Sequence, residues 1–295
     1  MSAAWTVIRE EPGWVAVDKP AGLLSIPDRY DRSLPNLHDQ LTARYGKVHP
    51  VHRLDRETSG IIQFARTAEA NLFLSRQFEA HEVEKTYLAL VRGCPPGGGQ
   101  KTSGEPPAGV RPGLQGHPVP GNGDPPAGTA VSGGQPVVEG NPAPGEVAGL
   151  IDAPIGDHPG HKGMMRVDQR HGRPAQTAWR VIERLGPFSL VEARPLTGRQ
   201  HQVRVHLAWL GCPLAVDPVY GGGASLGLSE VKPGYKRKKG EGERPLIDRL
   251  TLHAARLRFL PPGAVEPIEL AADLPRDFAV VLKQLRRWSP GASPG

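Results

Sequence analysis

Glycine and proline are unevenly placed in this 295-residue chain, and their placement limits its possible folds more than any other feature. The chain has 37 glycines and 32 prolines. Helical bundles and coiled coils are excluded by that load, because proline removes a helix hydrogen bond and glycine weakens a helix interior by about 1 kcal/mol relative to alanine. The run from residue 95 to 145, PPGGGQKTSGEPPAGVRPGLQGHPVPGNGDPPAGTAVSGGQPVVEGNPAPG, holds 26 of them in 51 residues and has no aromatic side chain. It buries too little apolar surface to offset its ordering entropy. We expect a disordered insertion or an extended loop at 95–145, within a single domain spanning 1–295.

Outside that run, periodicity gives the elements. Trp14–Leu24 reads as a short strand entering a Pro/Gly turn. A helix follows, with Ser33 as its cap, Leu37, Leu41 and Tyr45 at helical spacing, and Gly46 as its stop. Gly60–Arg66 reads as a buried strand. Thr67 then caps a helix over Ala68–His81, with Ala70, Phe73, Leu74 and Phe78 on one face. Lys85–Arg92 is a strand with Tyr87, Ala89 and Val91 on one side. Further strands fall near Gly149–Pro154, Thr177–Leu185, Ser189–Arg194 and Leu250–Leu260. Thr197–Gly211 reads as a helix opened by a Thr197/Gln200 capping box. Asp273 and Pro275 open a last helix carrying Phe278, Val281, Leu282 and Leu285. Strands outnumber helices and do not alternate with them regularly. An α+β fold is expected, a mixed and mainly antiparallel sheet flanked by helices.

Composition narrows the class. Apolar residues make up 38% of the chain, and no apolar run approaches the ~20 residues that span a bilayer. The N-terminus lacks the charged-then-apolar pattern of a secretory signal. Two cysteines, Cys94 and Cys212, cannot make a disulfide framework or a cysteine-based zinc cage. A cytoplasmic, reduced protein is the expectation. The net charge of +6 favours a polyanionic partner only mildly.

Several common sites are absent: there is no phosphate loop, no dinucleotide glycine fingerprint and no H-E-x-x-H. His201 and His206, five apart, sit about 140° apart on a helix and cannot easily share a metal. Gly223–Gly227 matches G-x-S-x-G, with Asp248 and His253 following. DPVYGGG supplies no buried strand before the serine, however, and no oxyanion segment exists. Two segments carry more. In PVHRLDRETSG, Asp55 between Arg53 and Arg56 stays ionised, because nearby cations favour its charged form. In RPLTGRQHQVRVHL, Arg199 falls in the first turn of the expected helix and Arg204 one turn later, at a terminus suited to an anion or phosphate. Taken alone, a solvated loop and an ordinary amphipathic helix account for these residues better than a site does.

Together the segments resemble a known family. PVHRLDRETSG is similar to the H-R-L-D-x-x-T-S-G signature of the RluA-type pseudouridine synthases. VDKPAGLLSIPDR resembles that family's N-terminal motif, EKTYLALVRG its K-x-Y-x-A-x-V strand, and RPLTGRQHQVRVHLAWLGCPLAVDPVYGG its T-G-R-x-H-Q-I-R block. The resemblance implies the pseudouridine synthase fold and isomerisation of uridine to pseudouridine in ribosomal or transfer RNA, with no cofactor or metal. It implies Asp55 as the catalytic carboxylate, Arg204 as its partner, Tyr87 as the ring stacked on the target base, and Arg53 as a holder of the flipped nucleotide's place. Val216 and Cys212 depart from the pattern behind the helix, away from the chemistry. With the core expected to begin near residue 5, the small N-terminal RNA-binding domain of many relatives is expected to be missing. Lys232, Lys236, Arg237, Lys238 and Lys239 are a candidate RNA grip or a solvated loop, and Arg166, Arg170 and Arg173 a second patch. RNA is the implied partner of a monomer without membrane contact. The alternatives are an RNA or nucleoside glycosidase, with Glu57 as a possible second acid, and a non-catalytic RNA-binding factor.

Overall fold

Two glycine-hinged hairpins and a set of β-branched runs dominate the chain, and they assemble one large sheet. The structure is a computed structural model that describes residues 5–96, 101–102, 148–235 and 242–289. Its strands are β1 (Thr6–Glu11), β2 (Trp14–Lys19), β3 (His49–Pro50), β4 (Ser59–Ala65), β5 (Glu84–Arg92), β6 (Lys101–Thr102), β7 (Ala148–Asp152), β8 (Ile155–Asp157), β9 (Met165–Val167), β10 (Gln176–Leu185), β11 (Phe188–Pro195), β12 (Leu252–Phe259) and β13 (Ile268–Ala271). The helices are α1 (Leu37–Tyr45), α2 (Ala68–Glu79), α3 (Gln202–Trp209), α4 (Leu228–Val231) and α5 (Arg276–Trp288). The sheet order is β1-β2-β4-β12-β5-β11-β10-β7-β6, with β13 on β12, β3 on β4, and β8–β9 as a separate pair. All pairings are antiparallel except β4 with β12 and β6 with β7. The expected mixed, mainly antiparallel α+β arrangement is what is found.

Alternation along each strand covers both faces. In the β1–β2–β4 half, Val15, Val17 and Phe64 pack on Leu37 and Leu41 of α1. Trp14, Ala16 and Ile61 pack on Ala70 and Leu74 of α2. In the other half, Ala89, Val91, Val191 and Ala193 meet Val203 and Leu207 of α3. Leu90, Leu185 and Leu190 meet Phe278, Val281, Leu282 and Leu285 of α5. Each such buried side chain contributes roughly 2 kcal/mol. Tyr87 packs against both the α1 and the α3 clusters, and so marks the seam between the halves.

Most expected elements are present, with corrections at their ends. The cap of α1 is Asn36, whose Oδ1 accepts the Asp39 N–H at 2.9 Å; Ser33 bonds Asp31 instead. Gly46 ends α1 at φ 77°, and Thr67 caps α2, as expected. Phe73 of α2 is exposed, and Gln77 takes the inward position by bonding both backbone groups of Leu260. The helix expected from Thr197 starts only at Gln202, because His201 adopts the left-handed conformation at φ 55°. Thr197 instead donates to Gln202 Oε1 at 2.7 Å, and no capping box forms. Strands β1 and β13 lie at edges and carry too little alternation for sequence detection. Apart from Pro95, Pro96 and the backbone of β6, the 95–145 segment lies outside the described residues, as do Lys236, Arg237, Lys238 and Lys239. Among the described residues no helix is long and apolar enough to cross a membrane.

Candidate active site

The HRLD segment is extended chain just ahead of β4, and two interactions with the turn after β2 fix it there. Ser25 Oγ donates to the Leu54 carbonyl at 2.8 Å and accepts the Leu54 N–H at 3.1 Å. The Gly22 N–H donates to the Arg56 carbonyl at 2.8 Å, from a turn in which Gly22 has φ +83°. Lys19, fully buried, donates to the carbonyls of Pro20, Leu23 and Arg56 at 3.0, 2.8 and 3.0 Å. Burial pulls its pKa down to about 7, against the raising pull of Glu57, Asp55 and Asp18. Residues 54 and 56 are thereby clamped, and Asp55 between them faces a cleft. Leu54 is buried in the α1 cluster and anchors the same loop.

That cleft, about 440 Å³, is lined by Asp55, Arg53, Tyr87, His201, Arg199, Arg204 and Lys85, with Phe78, Val203 and Leu252 among its apolar walls. It runs along the seam marked by Tyr87. Asp55 is the single carboxylate among its lining residues. Its Oδ2 lies 3.6 Å from Arg204 Nη1 and 3.8 Å from His201 Nε2. Arg204 is only 8% exposed, and its main partner is another acid. It binds Asp217 in a bidentate fork, Nε to Oδ2 at 2.8 Å and Nη2 to Oδ1 at 2.9 Å. The expected pairing of Arg204 with Asp55 is thus accompanied by a closer one with Asp217. Asp217 sets the guanidinium, whose remaining amino group is turned toward Asp55. Burial opposes the charge of Arg204, and the carboxylates of Asp217 and Asp55 outweigh it and raise the pKa.

A second chain of contacts reaches Asp55 through His201. The Tyr220 hydroxyl accepts the Met165 N–H at 2.9 Å and lies 2.8 Å from His201 Nδ1. Nδ1 of His201 is thus engaged by Tyr220, and Nε2 is the ring nitrogen that faces Asp55. Burial holds the His201 pKa down, with Asp55 opposing. Tyr220 also lies under Arg204, 4.8 Å from its guanidinium, and its backbone N–H bonds Asp217. Burial, then the charge of Asp55, raises the pKa of the Tyr87 hydroxyl. Tyr87 is thus a neutral ring in the cleft wall.

The remaining expected site residues sort as follows. Arg53 lines the cleft and is exposed. Arg199 also lines it, but from the turn ahead of α3 rather than from the helix, with its Nε donating to the Pro174 carbonyl. Arg166 pairs with Asp168, which also accepts the Arg170 and His171 N–H groups, so that patch is partly neutralised. Glu57 is exposed beside Arg56 and does not line the cleft. His206 is buried between Thr177 and the Ala153 carbonyl, far in role from a metal ligand. Ser225 is exposed and not preceded by a strand, while His253 bonds Ser59 and Ala272, so no nucleophile elbow exists. Val216 packs in the α5 cluster and Cys212 in the α3 cluster, both behind the site. No group of three or more possible metal ligands occurs among the described residues. Sequence reasoning gave no role to Asp217, Tyr220, Lys19 or Lys85. The first two stand in the quoted DPVYGG, and their signal was the Asp-to-Tyr spacing of three that lets one carboxylate cap a turn.

The cleft thus holds a lone carboxylate beside a fixed guanidinium, with an aromatic wall and several cations around it. The chain matches the family described as RNA pseudouridylate synthase over residues 13–209, and it belongs to that family, whose members are isomerases. It is 32% identical to the ribosomal large subunit pseudouridine synthase D of Xanthomonas campestris pv. campestris, over 97% of this chain and 71% of that one. It is also 32% identical to the dual-specificity RNA pseudouridine synthase RluA of Vibrio vulnificus, over 88% of this chain and 79% of that one. Human RNA pseudouridylate synthase domain containing 4 shares the fold, with a TM-score of 0.55 and 22% identity over 95% of this chain and 93% of that one.

Proposed function

We propose that this cleft isomerises uridine to pseudouridine in ribosomal or transfer RNA, with Asp55 as the catalytic carboxylate. The observation that carries the reading is that Asp55 is the single acid lining the cleft, 3.6 Å from the Arg204 guanidinium. Isomerisation breaks the bond from ribose carbon 1′ to uracil nitrogen 1 and joins carbon 1′ to carbon 5. The carbon 5 proton leaves and a proton is returned to nitrogen 1, so atoms balance without a co-reactant. One ionised carboxylate suffices to promote the cleavage, as nucleophile or by charge. A hydrolytic glycosidase generally requires two acids in fixed geometry. The position of Glu57, exposed and outside the cleft, favours the isomerase over that alternative.

The roles follow from place. The target uridine leaves its stack, at a cost of a few kcal/mol that is least in loops. Tyr87 stacks on the extruded base, a contact worth roughly 1–3 kcal/mol. Arg204 and His201 hold Asp55 aimed into the cleft, and Arg53 at the rim fills the space the base vacates. The proposal includes action as a monomer in a cytoplasmic setting, which two unpaired cysteines fit.

The test is pseudouridine mapping of ribosomal and transfer RNA from cells with and without this protein, repeated with Asp55→Asn. We expect one or a few sites to vanish on deletion and to stay absent with Asp55→Asn, while that variant folds and binds RNA like the parent. Restoration of the sites by Asp55→Asn would remove Asp55 from the chemistry. An unchanged map on deletion would remove the activity itself.

A further inference from the structure

Strand β5 carries Tyr87 into the cleft, and with alternation of period two its neighbour on the same face is Lys85. Lys85 lines the cleft and is half-buried. It makes no hydrogen bond or ion pair with any described residue. Other buried or half-buried cations differ: Arg204 has Asp217, Arg249 has Asp277, Arg180, Arg194 and Arg256 share Glu192, and Lys19 has three carbonyls. The groups that face Lys85 are His52 and His81, and both are held toward their neutral forms by burial, with Lys85 itself adding to the effect. His52 is stacked on Phe78 and accepts the Gln63 N–H, so it cannot serve as an acid. The adjacent Glu84 is turned to Arg258. Burial, uncompensated by any acid, pulls the Lys85 pKa down to about 8. An ammonium kept in such a place is relieved either by losing its proton or by an incoming anion.

We propose that Lys85, with Arg199, which lines the same cleft, forms a phosphate subsite for the RNA linkage next to the target uridine. The inference rests on the uridine-isomerase reading and adds a contact to it. Lys85 and Tyr87 are two positions apart on the strand, about 7 Å, a span that suits a base on Tyr87 and the phosphodiester beside it. Arg199 holds its position through the Pro174 carbonyl and leaves its terminal amino groups for the same anion. A lysine reaching a neutral uracil oxygen is the competing contact. It differs in one measurable respect, since only a phosphate contact releases a counterion.

The experiment compares the full-length protein with Lys85→Gln, Lys85→Met and Lys85→Arg. Affinity for a uridine-containing RNA stem-loop is measured over a range of KCl concentrations. Loss of one phosphate contact flattens the slope of log K against log salt by about 0.7 for single-stranded RNA. We expect that flattening in Lys85→Gln and Lys85→Met and the parental slope in Lys85→Arg. A stem-loop with one methylphosphonate, placed 5′ or 3′ of the uridine, should bind the parent more weakly at one of the two linkages and leave Lys85→Gln unaffected there. Lys85→Met should melt no lower than the parent, since it removes an unpaired charge from a half-buried place. An unchanged slope, or methylphosphonate losses equal in parent and Lys85→Gln at both linkages, overturns the subsite. Pseudouridine formation by the parent is followed in parallel on cellular RNA; its absence counts against the isomerase reading, whereas the slope reads binding alone.

Discussion

At the scale of single residues, the site depends on which charge answers which. Arg204 is pinned by Asp217 and only leans toward Asp55. Removing the guanidinium therefore does more than misplace a carboxylate, because it strips the partner from an acid that is 1% exposed. Breaking a buried pair from one side costs about 3–5 kcal/mol. We expect Arg204→Ala to lose stability on that order as well as activity, read by chemical denaturation beside pseudouridine yield. Asp217→Asn keeps shape and one acceptor; it should retain the fold better while lowering the isomerisation rate, with KM little changed. Full activity in Asp217→Asn would mean that Asp55 alone orients Arg204. The orientation of His201 belongs to this scale too, since the Tyr220 hydroxyl engages Nδ1 and leaves Nε2 facing the acid.

At the scale of elements, the crossing of β4 and β12 sets the frame. These two parallel strands meet at Ser59 with His253 and at Gly60 with Ala254. Gly60 has φ +115°, and a Cβ there would run into the Ala254 backbone. Only glycine permits the approach. Gly60→Ala should therefore force the strands apart and cost several kcal/mol, beyond the ~1 kcal/mol typical of a point change. It should also cut activity, because Asp55 lies five residues upstream in the loop that β4 terminates. A denaturation midpoint equal to the parent's would refute the packing argument. The same reasoning explains why element interiors were legible in the sequence and their ends were not. Thr67 and Gly46 announce their caps locally. Asn36 displaces Ser33, and His201 delays α3, through bonds that the loop makes once folded.

At the scale of the whole molecule, stability carries a signature of buried neutral histidines. His206 and His253 are fully buried, each accepting a hydroxyl at Nδ1 and donating Nε2–H to a carbonyl. Burial lowers the pKa of each to about 4, and that of His52 to about 3. Because these values lie below the ordinary 6.5, the unfolded chain takes up protons first as pH falls. The stabilisation is complete above pH 6.5 and is lost progressively toward pH 4, by about 3 kcal/mol for each of His206 and His253. Melting temperature should therefore begin to fall below pH 6.5, before the carboxylates titrate. A flat melting temperature between pH 7 and 4.5 would mean that the rings are open to solvent.

By itself the sequence determined most strands and helices of the core and the α+β class, since alternation and helical spacing are local patterns, while the HRLD and RQHQVR runs pointed to Asp55 and Arg204 only through their resemblance to a family. Only the tertiary structure decided the partners. Ser25 meets Leu54 across 29 positions, and Ser59 meets His253 across 194. Arg204 chooses Asp217, Glu57 stays outside the cleft, and Lys85 ends with no acid beside it. Charge pairing depends on distance and burial in three dimensions, and a one-dimensional pattern that places a charged residue on a strand or a turn does not say what faces it.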